Sequence, residues 1–580
     1  MSLTRREFMQ MLAAAGAAGF SLSGCEGPKS IANAGVRAPD NIYEVPPFGD
    51  VSLLHFTDCH AQLLPLHFRE PSVNIGVGAA AGRPPHLVGE AALRYYGAAP
   101  GSIEAHAFTH LDFVEAARLY GKAGGFAHLA TLVKSLRNQR PGRALLLDGG
   151  DTWQGSATAL WTRGQDMVDA QKLLGVDIMT AHWEFTYGAE RVREILEKDL
   201  KGRIEFLAQN VEDATWDEPI FKPYVIREIN KIPVAVIGQA FPYTPIANPR
   251  YLIPDWSFGI NEEHMQKMVD EARAKGAQVV VVLSHNGMDV DLKLAGRVRG
   301  IDAILGGHTH DAVPLPSIVG NAGGKTLVIN SGSNTKFLSV LDLEVKDGRV
   351  TDYRYKLLPI FANLIAPDKE MAAYIEKARA PYQARLDEKL AVTESLLYRR
   401  GNFNGTFDQL IVDALLATQG ADIAFSPGFR WGVSLPPGAT ITMDDLMSHT
   451  AITYADVTLN ELTGAQIKEI LEDIADNLYH PDPYYQQGGD MVRVGGLRYT
   501  LDLRQAHGRR ISDLEHKGKP VKPGKKYKVA GWASVQQQPE GKRKIWDVVA
   551  EYLRHKKTVK IDRPYIPRLK GLNGNPGIEA

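Results

Sequence analysis

Cysteine is nearly absent from this chain, with 2 residues in 580. Cys25 lies in the N-terminal leader region, which leaves Cys59 alone. A disulfide framework is therefore excluded, and stability must come from a buried core. Net charge is missing too: 66 Lys and Arg stand against 67 Asp and Glu, a balance that gives no electrostatic case for nucleic-acid binding. Long hydrophobic runs are lacking. The Ala/Gly stretch from Met11 to Leu22 is too short and too weak for an ordinary spanning helix, so no transmembrane segment is expected in the mature protein. There is no internal repeat and no coiled-coil heptad. What is there is a composition of the ordinary soluble kind, 44% hydrophobic, in a chain long enough for two or more domains.

Seven candidate metal ligands stand in five short motifs. Asp58 and His60 lie in Thr57-Asp58-Cys59-His60, Asp151 in Gly149-Gly150-Asp151, and His182 in Ala181-His182-Trp183-Glu184-Phe185-Thr186. His285 lies in Ser284-His285-Asn286, and His308 and His310 in Gly307-His308-Thr309-His310. Each motif follows an apolar run that reads as a buried strand, such as Val279-Val280-Val281-Val282-Leu283. Amphipathic helical patterns lie between them, as from Glu262 to Lys275 and from Ala189 to Lys198. Strand–helix alternation implies a layered α/β architecture with the ligands gathered where strands end. In Asp58-Cys59-His60 and His308-Thr309-His310 an extended segment would put both ligands on one side and turn Cys59 away into packing. Seven ligands exceed one tetrahedral site and suit two metals sharing a carboxylate. Mixed imidazole and carboxylate donors suit manganese, iron or zinc.

In order and type these motifs resemble the calcineurin-like metallophosphoesterases, and within them the 5′-nucleotidase branch. The resemblance runs from about Val51 to about Lys557. It implies an N-terminal αββα sandwich and a C-terminal α/β substrate domain. It also implies that Asp58, His60, Asp151 and His310 hold one metal, while Asp151, as the bridge, holds the other with His182, His285 and His308. The nucleotidase pattern Gly-Asn-His-Glu-Phe-Asp becomes Ala181-His182-Trp183-Glu184-Phe185-Thr186 here. His182 replaces an Asn ligand, Trp183 replaces the catalytic His and Thr186 replaces its Asp partner. This altered motif is similar to that of the SoxB family of thiosulfohydrolases. That likeness implies a dimanganese periplasmic enzyme that releases sulfate from a sulfur chain carried on a cysteine of a SoxYZ-type carrier protein.

The loss of the dyad has a chemical meaning. An alkoxide leaving group needs a proton donor in the transition state, and the indole of Trp183 is no proton shuttle. A persulfide leaves as a stabilised sulfur anion and needs none. Two metals supply the rest by lowering the pKa of a water and offsetting charge on sulfonate oxygens. Two divalent cations outweigh Asp58 and Asp151, so the centre is expected to attract anions.

In Ser426-Pro427-Gly428-Phe429-Arg430-Trp431-Gly432, Arg430 matches the substrate arginine of the nucleotidase C-terminal domain and is the expected clamp on two sulfonate oxygens. Trp183 is expected to line an apolar wall. Tyr484 and Tyr485 match a nucleotide-binding loop of relatives and are candidates to frame a substrate channel, against a reading as ordinary loop tyrosines. Asp151, Arg430 and Trp183 form the expected catalytic set.

The expected organisation is a signal region over 1–34, a dinuclear catalytic domain over 50–362 with an insert at 66–122, a linker helix over 363–392, and a C-terminal substrate domain over 393–560. The insert is expected to pack near the active-site rim; its His67, His86, His106 and His110 carry no assignment. The basic stretch from Lys542 to Lys570 reads as a solvated face, with a docking surface for an acidic partner as the other reading. Thr4-Arg5-Arg6-Glu7-Phe8-Met9 resembles a twin-arginine export signal. Leu22-Ser23-Gly24-Cys25 resembles a lipoprotein box, while Ala32-Asn33-Ala34 fits a cleavage site releasing a soluble periplasmic monomer. The competing function is a periplasmic 5′-nucleotidase-like phosphohydrolase. A non-catalytic carrier-binding metalloprotein is the third reading, and retention of all seven ligand types argues against it.

Overall fold

The computed structural model describes residues 42–70 and 74–578. The leader motifs and Cys25 lie outside these residues. Two six-stranded sheets form the first part of the fold. One runs Arg349–Pro359, Phe337–Lys346, Val51–Phe56, Ala144–Asp148, Ile178–Met179 and Glu205–Phe206. The other runs Ser317–Asn321, Gly324–Asn330, Ala303–Gly306, Val279–Ser284, Ile232–Gln239 and Tyr224–Ile229.

The apolar runs of the sequence explain the layering. Side chains alternate across a strand. Val51 and Leu53 point into the core between the sheets with Val279, Val281 and Leu341, while Leu54 and Phe56 point outward against Phe126 and Leu129. In the second sheet Val280 and Val282 turn outward to Met265, Met268 and Leu294. A strand buried on both faces has no polar side, so Val279–Ser284 reads as an unbroken hydrophobic run. Helices Phe126–Asn138 and Glu262–Ala274 cover the two outer faces. The result is an αββα sandwich. The strands leading to Asp58, Asp151, His182, His285 and His308 pair in parallel within their sheets, so their carboxyl ends share one edge.

The insert folds as three short helices, Gly89–Tyr96, Ile103–Phe108 and Phe113–Tyr120. It lies at the rim. Asn74 donates to Asp311 at 3.1 Å, and His86 pairs with Asp289 at 2.9 Å. The rings of Tyr120 and Phe361 stack on His106.

The linker departs from the expected single helix. Its helix is Lys369–Arg379, followed by a 3₁₀ turn at Ala380–Tyr382, a short helix at Gln383–Leu386 and a strand at Lys389–Thr393. Pro381 lacks the N–H that would continue the helix. Met371 and Ile375 anchor the segment in the first core.

The C-terminal part carries a four-stranded sheet in the order Val457–Thr463, Lys526–Trp532, Ile423–Ser426, Arg493–Gly495. Helices Thr406–Gln419, Gly464–Tyr479 and Ile545–Lys556 pack on it. Thr463 and Gln466 form a capping box that starts the second of these. In the basic stretch, Arg543 pairs with Glu551, Lys544 with Asp456 and Arg554 with Glu388. Among the described residues no helix is long and apolar enough to cross a membrane.

Candidate metal centre

All seven candidate ligands converge. Asp151, His182, His285 and His308 form one group and Asp58, His60, Asp151 and His310 the other, each with ligand atoms within 4.8 Å of one another. Asp151 belongs to both. Its Oδ2 lies 3.0 Å from His285 Nε2 and 3.7 Å from His60 Nε2, and its Oδ1 lies 3.4 Å from His182 Nδ1. On the far side, His310 Nε2 is 3.2 Å from Asp58 Oδ1.

The ligand loops are not extended. Asp58, His60, Asp151, His308 and His310 have φ between 45° and 72°. The chain coils at the ligands instead of alternating, which corrects the extended-segment reading of both x-spaced pairs. Backbone bonds between the loops hold this left-handed geometry, with Asp58 N donating to Gly150 O at 2.9 Å and His60 N to Asp151 O at 2.8 Å. Cys59 is fully buried in the core that contains Phe126.

Two divalent ions fit this set. Among the described residues His182 Nδ1 and His285 Nε2 are buried and make no hydrogen bond. The other nitrogen of each ring is held, His182 Nε2 at 3.1 Å from Asn248 Oδ1 and His285 Nδ1 at 2.6 Å from the Gly149 carbonyl. Fixing one ring nitrogen in this way presents the other to a cation. His60 Nε2 and His310 Nε2 face each other at 3.0 Å, an approach that a shared cation explains.

The protonation states of three of the imidazoles agree with that reading. Burial drives His60 down to about 3. Burial, then the nearby Arg430, hold His308 and His310 well below the ordinary imidazole value. All three are neutral, the ligating form. His285 goes the other way: burial lowers it, but Asp151 and Asp58 outweigh that and push it up to about 10. Burial opposes ionisation of Asp151, yet His285 and His182 hold its carboxyl well below the usual range.

Glu184 ties two ligand loops together. Its Oε1 accepts from Thr152 N at 2.7 Å and Trp153 N at 3.3 Å, and its Oε2 from His182 N at 2.8 Å and Asp151 N at 3.2 Å.

A cavity of about 110 Å³ opens on the metal ligands. From the N-terminal side it is lined by His60, Asp151, His182, Trp183, Phe241, Asn248, His308 and His310. From the C-terminal side Phe429, Arg430, Trp431 and Gln487 to Gly489 close it. Trp431 stacks on His60 at 4.6 Å, and Phe241 on His308 at 4.1 Å. A Cβ on Gly488 would lie 2.5 Å from His308 Nε2 and 3.1 Å from an Arg430 guanidinium nitrogen, so only glycine fits there. Trp183 packs against Phe429 at 5.2 Å, Trp431 at 4.9 Å and Tyr454 at 5.9 Å. The Thr186 hydroxyl donates to the Trp183 carbonyl at 2.7 Å.

Tyr484 and Tyr485 do not line this cavity. Lys293 sits 3.9 Å over the Tyr484 ring, and Tyr485 is 64% exposed beside His480. Pro483 starts a 3₁₀ turn that carries both rings away from the cavity, and the same loop reaches the site two residues after the turn through Gln487. Asn248, Gln487 and the supporting role of Glu184 escaped the sequence reading. Only Glu184 carried a signal, as an acid inside a ligand motif.

A solved structure of the Thermus thermophilus sulfate thiohydrolase SoxB is 40% identical to this chain, with a TM-score of 0.86, over 91% of this chain and 98% of that one. The chain belongs to the SoxB family. Residues 389–545 match the 5′-nucleotidase C-terminal domain family, which places this SoxB-family chain in the 5′-nucleotidase branch. Bovine 5′-nucleotidase is 25% identical over 508 residues, 79% of this chain and 85% of that protein. The fold is shared by a 5′-nucleotidase precursor from Thermus thermophilus, at 22% identity and a TM-score of 0.71 over 90% of this chain and 99% of that one. The protein is thus a hydrolase of the metallophosphoesterase type, with residues for two divalent metals.

Proposed function

We propose that the protein is a thiosulfohydrolase that releases sulfate from a cysteine-bound S-thiosulfonate on a SoxYZ-type carrier. One observation carries the reading: among the described residues, every titratable side chain lining the cavity is a candidate metal ligand except Arg430. No residue there can protonate a leaving group, since arginine does not give up its proton.

The residues that would hold the two ions, manganese by likeness to the family, are Asp58, His60, Asp151 and His310 for one and Asp151, His182, His285 and His308 for the other. Such a pair would lower the pKa of the attacking water and offset charge on the sulfonate. Arg430 is 7% exposed and faces the cavity with no ion pair or hydrogen bond of its own among the described residues. Its fork can grip two sulfonate oxygens and set the sulfur for in-line attack. Trp183, Phe241, Phe429 and Trp431 keep water from the sulfur chain. Water adds to the sulfonate sulfur, and the bond to the sulfane sulfur breaks. The persulfide departs with the electron pair, sulfate forms and two protons pass to solvent. A sulfur anion tolerates that charge, as the thiol reference pKa of about 8.5 indicates. The leader motif supports export to the periplasm, where such a carrier would be met.

The test is incubation of the metal-loaded protein with thiosulfate-loaded carrier peptide and, separately, with nucleoside monophosphates, measuring sulfate and phosphate together. Sulfate release with little phosphate is expected, and Asp151→Ala should abolish it. Comparable turnover of the nucleotides would replace this reading with the phosphohydrolase one. Unchanged carrier processing by Asp151→Ala would favour a non-catalytic role.

A further inference from the structure

We infer that the C-terminal domain keeps one of the two cation positions in shape, and that Arg400 is the positioning residue that does so. The two positions are not supported alike. His182 and His285 are oriented by N-terminal groups, Asn248 and the Gly149 carbonyl, and the C-terminal domain touches this support only at one remove, where Asn248 donates to the Tyr454 hydroxyl at 3.2 Å. Among the described residues His308 is the ligand of that group that itself hydrogen-bonds the C-terminal domain, with its Nε2 3.0 Å from the Gln487 carbonyl.

Both imidazoles peculiar to the Asp58 position lean on the C-terminal domain instead. His60 stacks on Trp431. Arg400, 3% exposed, donates from Nη1 to the His310 carbonyl at 3.2 Å and from Nη2 to the Thr309 carbonyl at 3.0 Å. No backbone amide donates to either carbonyl among the described residues.

The need for the clamp is local. His308 and His310 both take left-handed backbone, with φ of 72° and 60°, and non-glycine residues hold that conformation only where the surroundings impose it. A fork on two successive carbonyls fixes the peptide that aims His310. Lysine offers a single point charge in place of the fork and can hold one carbonyl well but not both. Removing a partner that orients a ligand typically weakens metal binding about 10–100-fold. The dependence concerns cation binding alone and holds whichever substrate the cavity takes.

The full-length protein, stripped with a chelator and titrated with Mn(II), provides the test. Calorimetry separates the two binding events, and electron paramagnetic resonance distinguishes a lone ion from a coupled pair. Arg400→Met should bind one ion with the affinity of the unaltered protein and the second about 10–100-fold more weakly, giving a lone-ion spectrum at intermediate metal. Arg400→Lys should recover part of the loss, and it carries the test if the methionine variant fails to fold. Asn248→Ala should weaken the other ion, so that the double variant with Arg400→Met binds both more weakly. Two ions bound to Arg400→Met as to the unaltered protein, or both weakened to the same degree, would overturn the assignment.

Discussion

Replacing Trp183 with histidine restores the residue type that the nucleotidase pattern carries at this position, yet it should not create a phosphatase. Trp183 is 6% exposed and wedged among Phe429, Trp431 and Tyr454. Truncating such a ring to alanine costs about 3–5 kcal/mol. Histidine keeps a smaller ring, so a loss of about 2–3 kcal/mol is expected. The new imidazole would also lack an orienting carboxylate. Thr186, 1% exposed, already spends its hydroxyl on the residue 183 carbonyl at 2.7 Å, and a hydroxyl cannot stabilise an imidazolium as a carboxylate does. A working general acid is worth about 10²–10⁴-fold. Without orientation, and beside Arg430 and two cations, the gain should stay below about ten-fold. The assay is kcat/KM for phosphate release from nucleoside monophosphates at matched metal content, with thermal unfolding measured on the same samples. A gain of about a hundred-fold or more from this single change would refute the reasoning.

Three further outcomes follow from single contacts. Glu184→Gln keeps one oxygen and turns an NH₂ toward two backbone donors, losing two of four hydrogen bonds to a charge. At about 1.5–3 kcal/mol each the apo protein should lose roughly 3–6 kcal/mol in denaturant unfolding, and a loss under about 1 kcal/mol would contradict this. Arg430→Lys gives up the fork, and kcat/KM for the S-thiosulfonate should fall about ten- to hundred-fold; an unchanged value would remove Arg430 from the substrate. At His86, burial lowers the pKa, but the charge and hydrogen bond of Asp289 outweigh it and raise it. The stabilisation from this pair is therefore complete below the unfolded value of about 6.5 and is lost as pH rises through the raised folded value. The melting-temperature gap between the unaltered protein and His86→Gln should be widest near pH 6 and close at alkaline pH, and a gap that widens with pH would reverse the sign.

The layered α/β architecture and the set of candidate ligands were legible because both are written locally, whereas the αββα order and the partition of the ligands between two positions came only from the family resemblance. Strand periodicity reveals itself in Val51 to Phe56 and Val279 to Ser284, and each ligand motif sits directly behind such a run. The backbone at the ligands was not legible, since nothing local marks Asp58, His60 or His310 for positive φ; contacts between loops impose it. Arg400 stands next to Arg399 with no signal to separate them. One clamps the ligand loop, while the other pairs with Asp408 at 3.1 Å. Asn248, 66 residues from His182 in sequence, reaches it only through the fold. Pro381 was visible and ends the linker helix at the turn it occupies. Tyr484 and Tyr485 matched a loop whose chain direction, and not its composition, decides which residues face the cavity.

The most direct measurement is the dependence of rate on the leaving group. A series of S-thiosulfonates R–S–S–SO₃⁻, with R varied to span persulfide acidities, should show kcat/KM falling steeply as the persulfide becomes more basic, because among the described residues no side chain lining the cavity would share a proton with it. A rate nearly independent of persulfide basicity would mean that a proton donor acts in the transition state, and would contradict the account at its centre.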